Sequence, residues 1–174
     1  MATNLEFIKS VNTLSNVSSL SLTDVFSSTY DHYQVHLNVD DVDSEVAIEF
    51  RMINSGGVVD SSNYDHCHLF MTAGSGSTSG GSYEGANKWQ YVMYGEYNAG
   101  GFVVMNIFNP ANSAKWTMME SQTATHYYAS STAVHLGRRA FGVLRVAEAH
   151  TGIQIYASSA IITEAKLSVF GVKG

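Results

Sequence analysis

The chain has 174 residues, 45% of them apolar and 11% aromatic, and carries 15 Asp and Glu against 9 Lys and Arg for a formal net charge of −6. That length fits a single domain, residues 1–174, that buries its own core, and an acidic chain whose only adjoining cations are Arg138 and Arg139 excludes a nucleic-acid surface built on clustered positive charge. One cysteine, Cys67, excludes an intrachain disulfide framework, and no run approaches the roughly 18 apolar residues of a membrane span. The opening MATNLEFIKSVNTL lacks the charged-then-apolar pattern of a secretory leader, so the chain is expected to be soluble and made in a cytoplasm. Only 14% of residues are charged, against roughly 25% in average globular proteins, so the surface should be uncharged Ser, Thr, Asn and Gly.

In chain order, Glu6–Val11 reads as a short strand, and residues 1–14 as an N-terminal arm or an edge strand. Ser18–Val25 follows. In FSSTYDHYQVHLNV, Tyr33, Val35, Leu37 and Val39 fall on every second position with Gln34, His36 and Asn38 between, the pattern of a half-buried strand. Val46, Ile48, Phe50 and Met52 repeat it in EVAIEFRM. Asn54-Ser55-Gly56-Gly57 predicts a turn, Tyr64–Met71 a strand, and residues 73–85, AGSGSTSGGSYEG, a flexible Gly/Ser loop. Trp89–Tyr94 and Phe102–Phe108 are apolar on both faces, which suits strands covered twice; Asn98–Gly101 and Asn109-Pro110 mark turns. Further strands are expected at Trp116–Glu120, Ala133–Leu136, Val143–Ala147, Ile153–Tyr156 and Ala165–Val172. Helix is limited to single turns at Thr132–Leu136 and Val146–His150, since nothing sustains an i, i+3, i+4, i+7 stripe. The sum is an all-β, antiparallel, jelly-roll-like β-sandwich of roughly ten strands.

Chemistry-bearing patterns are few. His66 and His68 would project from one strand face, as in cupin-type metal sites, but such a site needs a downstream Glu and a further His, and Glu84 fits poorly; the competing reading is a buried or interfacial histidine pair. Cys67 points the other way and reads as a packed core residue. NVDDVDSE gathers Asp40, Asp41, Asp43 and Glu45 without the glycine and bidentate Glu of a calcium loop, so it reads as a solvated hairpin turn. No nucleophile elbow, phosphate loop or His-Glu-x-x-His is present, and a paired-carboxylate site would have to draw on Glu84, Glu96 or Glu120. No catalytic, cofactor-binding or metal residue is therefore assigned. The aromatics Trp89, Tyr91, Tyr94, Tyr97, Trp116, Tyr127 and Tyr128 are the candidates for contact with a partner or a glycan, with an aromatic core as the alternative.

The segment Phe26, Ser28, Tyr30, Asp31, Tyr33, Val35 resembles one that recurs in small virion proteins and fibre-type domains of tailed bacteriophages. The Phe50-Arg51-Met52 strand, the Gly56-Gly57 turn, the Phe102 to Ile107 and Asn109-Pro110 segment, and the close on Val169, Phe170 and Gly171 are similar to the same family. The resemblance covers about residues 20 to 174; RRAFGVLRVAEAHTGIQIY departs from it. It implies a β-sandwich on a virion surface, assembled in the host cytoplasm, without cofactor and usually a homotrimer. Tyr30 and Tyr33 would then fix the start of a core strand and Asp31 would cap the turn before it. With no heptad stalk or β-helical shaft in the chain, the expectation is a capsid decoration (cement) protein bound to the major capsid protein. A receptor-binding tail fibre or tail-tip domain contacting host glycan is the alternative, and a cupin-type enzyme the remote one.

Overall fold

The structure, a computed structural model, describes residues 4–73, 78–95, 100–129 and 132–173. Among these residues there are thirteen strands and no helix: β1 (Asn4–Thr13), β2 (Ser19–Leu22), β3 (His32–Val42), β4 (Val46–Asn54), β5 (Gly57–Val58), β6 (Tyr64–Thr72), β7 (Thr78–Ala86), β8 (Trp89–Gly95), β9 (Gly101–Phe108), β10 (Thr117–Ala129), β11 (Thr132–Leu144), β12 (Gly152–Ala157) and β13 (Ile162–Lys173). They form two antiparallel sheets. The large one runs β1-β13-β3-β9-β10-β11-β6-β7; the small one runs β2-β12-β4-β5, with β8 on β4.

Period-two alternation sets the core between the sheets. Tyr33, Val35, Leu37 and Val39 of β3 face Ile48, Phe50 and Met52 of β4, all essentially without solvent contact, while Gln34, His36 and Asn38 point outward. Glu49 is also buried, on the far face of β4, where Lys88 Nζ lies 2.8 Å from its Oε2 and the Arg51 guanidinium stacks 4.4 Å from the Tyr156 ring. The β4–β5 hairpin turns at Asn54–Gly57: Gly57 takes φ +114°, open only to glycine, and Asn54 Oδ1 accepts the Gly56 N–H at 2.8 Å.

Three elements differ from expectation. Residues 78–86, read as part of a Gly/Ser loop, form edge strand β7, because backbone pairing with β6 from Tyr64↔Ala86 to Met71↔Thr78 needs no side chain; residues 74–77 of that stretch lie outside the described residues. The strand and helical turn expected at 132–136 and the strand expected at 143–147 are instead the long strand β11, which ends at Leu144 and in which Gly137, Arg138 and Arg139 interrupt the apolar pattern but not the pairing. Residues 146–150 form no helical turn. Residues 4–13 are hydrogen-bonded along β13 as the edge strand β1, with a register shift between Phe7 and Lys9.

Some of the residues that carry the resemblance meet at one end of the large sheet. The Tyr33 hydroxyl donates to Ser27 O and accepts the Ser27 N–H, both at 2.8 Å, while Phe26 and Tyr30 pack edge-on against its ring. Tyr30 lies over Gly171, where a Cβ would come within 2.6 Å of its ring. Asn109, at φ 57°, donates its N–H to Asp31 O at 2.8 Å. Asp31 thus contributes its backbone carbonyl here, and the side chain that caps the turn is Ser27, whose Oγ accepts the Thr29 N–H at 3.3 Å.

Candidate functional site

β8 makes the first of two candidate surfaces. One edge of it pairs with β4; on the other, Thr123 Oγ1 and Thr125 Oγ1 of β10 donate to Val92 O at 2.6 Å and Tyr94 O at 2.9 Å. Threonine at alternate inward positions of β10 therefore does for β8 what a neighbouring strand would do. Beside this seam, β6, β7 and β11 form an open cleft of about 370 Å³, lined by Glu45, His68, Phe70, Tyr83, Tyr94 and Arg138 among others. The Arg138 guanidinium sits 5.5 Å from the Phe70 ring centroid and 5.0 Å from that of Tyr94, a cation held against two aromatic faces.

His66 and His68 share the inner face of β6 as expected. Their rings lie 6.5 Å apart, and Tyr83 stacks on His66 at 4.7 Å. Burial pushes the His66 imidazole down to about 4, with smaller contributions from His68 and Arg138, and neither ring nitrogen has a hydrogen-bond partner among the described residues. His68 is lowered by the same two causes, burial first and Arg138 second. A cationic neighbour is the wrong environment for a metal ion, and among the described residues no group of three His, Cys, Asp or Glu converges. Cys67, expected in the core, is exposed on the opposite face of β6.

The second surface is this outer face of the large sheet, where a shallow groove of about 580 Å³ runs between Phe108, Met118, Phe141 and Val143. It is largely apolar; its two charged lining residues, Asp65 and Glu120, are ion-paired with Arg145 and Arg139.

The structure separates the aromatic candidates. Trp89 is fully buried, with its indole under Gly142 and edge-on to Tyr64 at 5.3 Å, so it has no surface to offer a partner. Tyr94 lines the cleft, and Trp116 is 53% exposed just ahead of β10. Tyr97 and the side chains of Tyr91, Tyr127 and Tyr128 lie outside the described residues. Sequence reasoning passed over Tyr83, Phe70 and Arg138; the signal was β6 itself, apolar on both faces although next to the sheet edge.

The remaining candidates are structural. Asp43 Oδ1 accepts the Ile161 N–H and Asp41 Oδ2 accepts the Thr163 hydroxyl, each at 2.8 Å, so this part of the acidic turn pins β3 to the start of β13. Glu84 on β7 and Glu120 on β10 are three strands apart, on the order of 14 Å, too far for a glycosidase pair; Glu96 lies outside the described residues. Thr117, His150 and Glu148 do align: Thr117 Oγ1 is 3.0 Å from His150 Nδ1 and Glu148 Oε1 is 3.2 Å from Nε2. Both Thr117 and His150 are wholly buried, out of reach of any substrate. Burial lowers the His150 imidazole against the pull of Glu148, and the array is a hydrogen-bonded latch between the 145–151 connection and β10.

Comparison with known proteins finds no matching family model, no matching curated protein and no matching solved structure.

Proposed function

We propose that the chain is a non-enzymatic structural protein of a bacteriophage virion, a capsid decoration protein that docks on the major capsid protein and stabilises the shell. The observation that supports this reading is the joint of Phe26, Tyr30, Tyr33, Asn109 and Gly171, in which residues from three of the short motifs of the resemblance pack into one hydrogen-bonded unit. A protein that binds only the assembled shell stabilises it by mass action. Cryo-EM of particles carrying the protein tests this. Density at regular positions on the icosahedral shell is the expected result, and density confined to the tail refutes it.

The cleft favours a second reading, a receptor-binding tail domain. Tyr83 and Tyr94 beside Arg138 offer the aromatic faces and fixed polar group on which a sugar ring stacks. Binding to a host-glycan array, lost in Tyr83→Ala, would support it.

A further inference from the structure

The register of the large sheet makes the apolar residues of its outer face contiguous. Phe108, Met118 and Val143 are successive cross-strand neighbours, Phe141 and Cys67 pair in the next row, and Leu69 and Met71 follow along β6. Leu69 and Met71 stand proud because edge strand β7 sets only Gly80 and Thr78 opposite them. Exposure is 63% for Leu69, 62% for Met71, 46% for Phe141, 47% for Met118 and 48% for Phe102. With large side chains offering roughly 150–250 Å² each, these leave about 500 Å² of apolar surface open. That is near the upper end of what a monomer exposes, and close to the apolar share of the roughly 800 Å² that each partner contributes to a stable interface.

The shape and charge of the patch say what covers it. A protruding pair, Leu69 and Met71, lies on the same face as a groove walled by Phe108, Met118, Phe141 and Val143. A surface carrying both knob and hole can satisfy itself across a two-fold axis, each copy giving the knob and receiving it. A trimer, the assembly the resemblance implies, would instead need two different patches on each subunit. Charge agrees: the groove's carboxylates are each paired, Glu120 with Arg139 and Asp65 with Arg145, so two copies meet with little like-charge repulsion although the chain carries −6.

We propose that the outer face of the large sheet binds a second copy of this chain in a two-fold dimer, with Leu69 and Met71 of each copy seated in the groove of the other. The inference does not depend on the virion reading. Sedimentation velocity of the full chain tests it, from about 1 to 100 µM. The expected result is a dimer that Leu69→Glu and Phe141→Glu weaken by on the order of 30-fold or more, since each places a charge in a desolvated contact. Both positions are half-exposed in the single chain, so thermal melts of the variants should match the parent at concentrations low enough for the parent to be monomeric. Because Cys67 lies inside the covered area, its reaction with a thiol reagent should slow as concentration rises. A chain that stays monomeric throughout, a trimer, dimers indifferent to both substitutions, or thiol labelling independent of concentration would each overturn the proposal. So would a monomer that uses Leu69 only to bind a different protein.

Discussion

Tyr64→Phe removes a single oxygen from the core. That oxygen accepts the Met52 N–H at 3.0 Å and its proton goes to Val59 O at 2.9 Å. The geometry explains why it is there: Val59 N–H already donates to Met52 O at 2.9 Å, and the phenol stands in for the reciprocal bond that a regular ladder would make. Tyr64 and Met52 have no solvent contact, and burial raises the phenol above its ordinary range, so it stays protonated over any working pH. Two bonds at about 1 kcal/mol each, plus about 1–2 kcal/mol for leaving a buried amide without an acceptor, give a loss of about 3–4 kcal/mol. For a chain of this size that lowers Tm by roughly 5–15 °C. Urea unfolding followed by far-UV circular dichroism measures the loss, and the denaturant slope should not change, because no surface is added or removed. The ring remains edge-on to Trp89, so native tryptophan fluorescence should also be preserved. A loss below about 0.5 kcal/mol would refute the reasoning, since it would mean that water replaces the hydroxyl and the site is not dry.

Two glycines of β11 should behave oppositely. A Cβ at Gly142 would meet Trp89 Nε1 at 2.6 Å, so Gly142→Ala should cost about 1–3 kcal/mol in thermal denaturation; at Gly137 the nearest atom is Met71 Cε at 3.9 Å, and Gly137→Ala should stay within about 0.5 kcal/mol. Acid should destabilise the fold through His66: the unfolded imidazole takes a proton near about 6.5 and the folded one only near about 4. Stability is thus full above the unfolded value and falls as pH drops between the two, so denaturation midpoints over that window should flatten in His66→Phe. Lys88→Met strands the Glu49 carboxylate and should cost about 3 kcal/mol, most of it recovered when Glu49→Gln is added; a non-additive double-mutant cycle by chemical denaturation is the check.

β3 and β4 were legible because one buried face against one polar face leaves a period of two in the residues, as in Tyr33, Val35, Leu37 and Val39. β7 was not, because Thr78–Ala86 holds its place through backbone bonds to β6, while Gly80, Gly81 and Ser82 carry a loop composition. β11 was read as fragments because Arg138 faces inward: a guanidinium between Phe70 and Tyr94 occupies a core position, and alternation alone marks it as a break. Of the candidate contact residues, Trp89 shows the limit most plainly. A large aromatic serves equally well as an anchor for a partner or as filling between sheets, and only Gly142 and Tyr64, distant in sequence, decide it. The apolar outer face is likewise invisible to a one-dimensional reading, since Phe141, Cys67 and Met118 become neighbours only through register.

The pairing of β1 with β13 has a mechanical consequence. Asn4 lies opposite Lys173, so both ends of the described chain sit at the same corner of the large sheet, and tension between them acts across the ladder rather than along it. Bonds loaded this way give way one after another, from Asn4↔Lys173 toward the irregularity at Phe7 and Lys9, instead of sharing the force. Held at both ends, the molecule would unzip its outermost strand at low load.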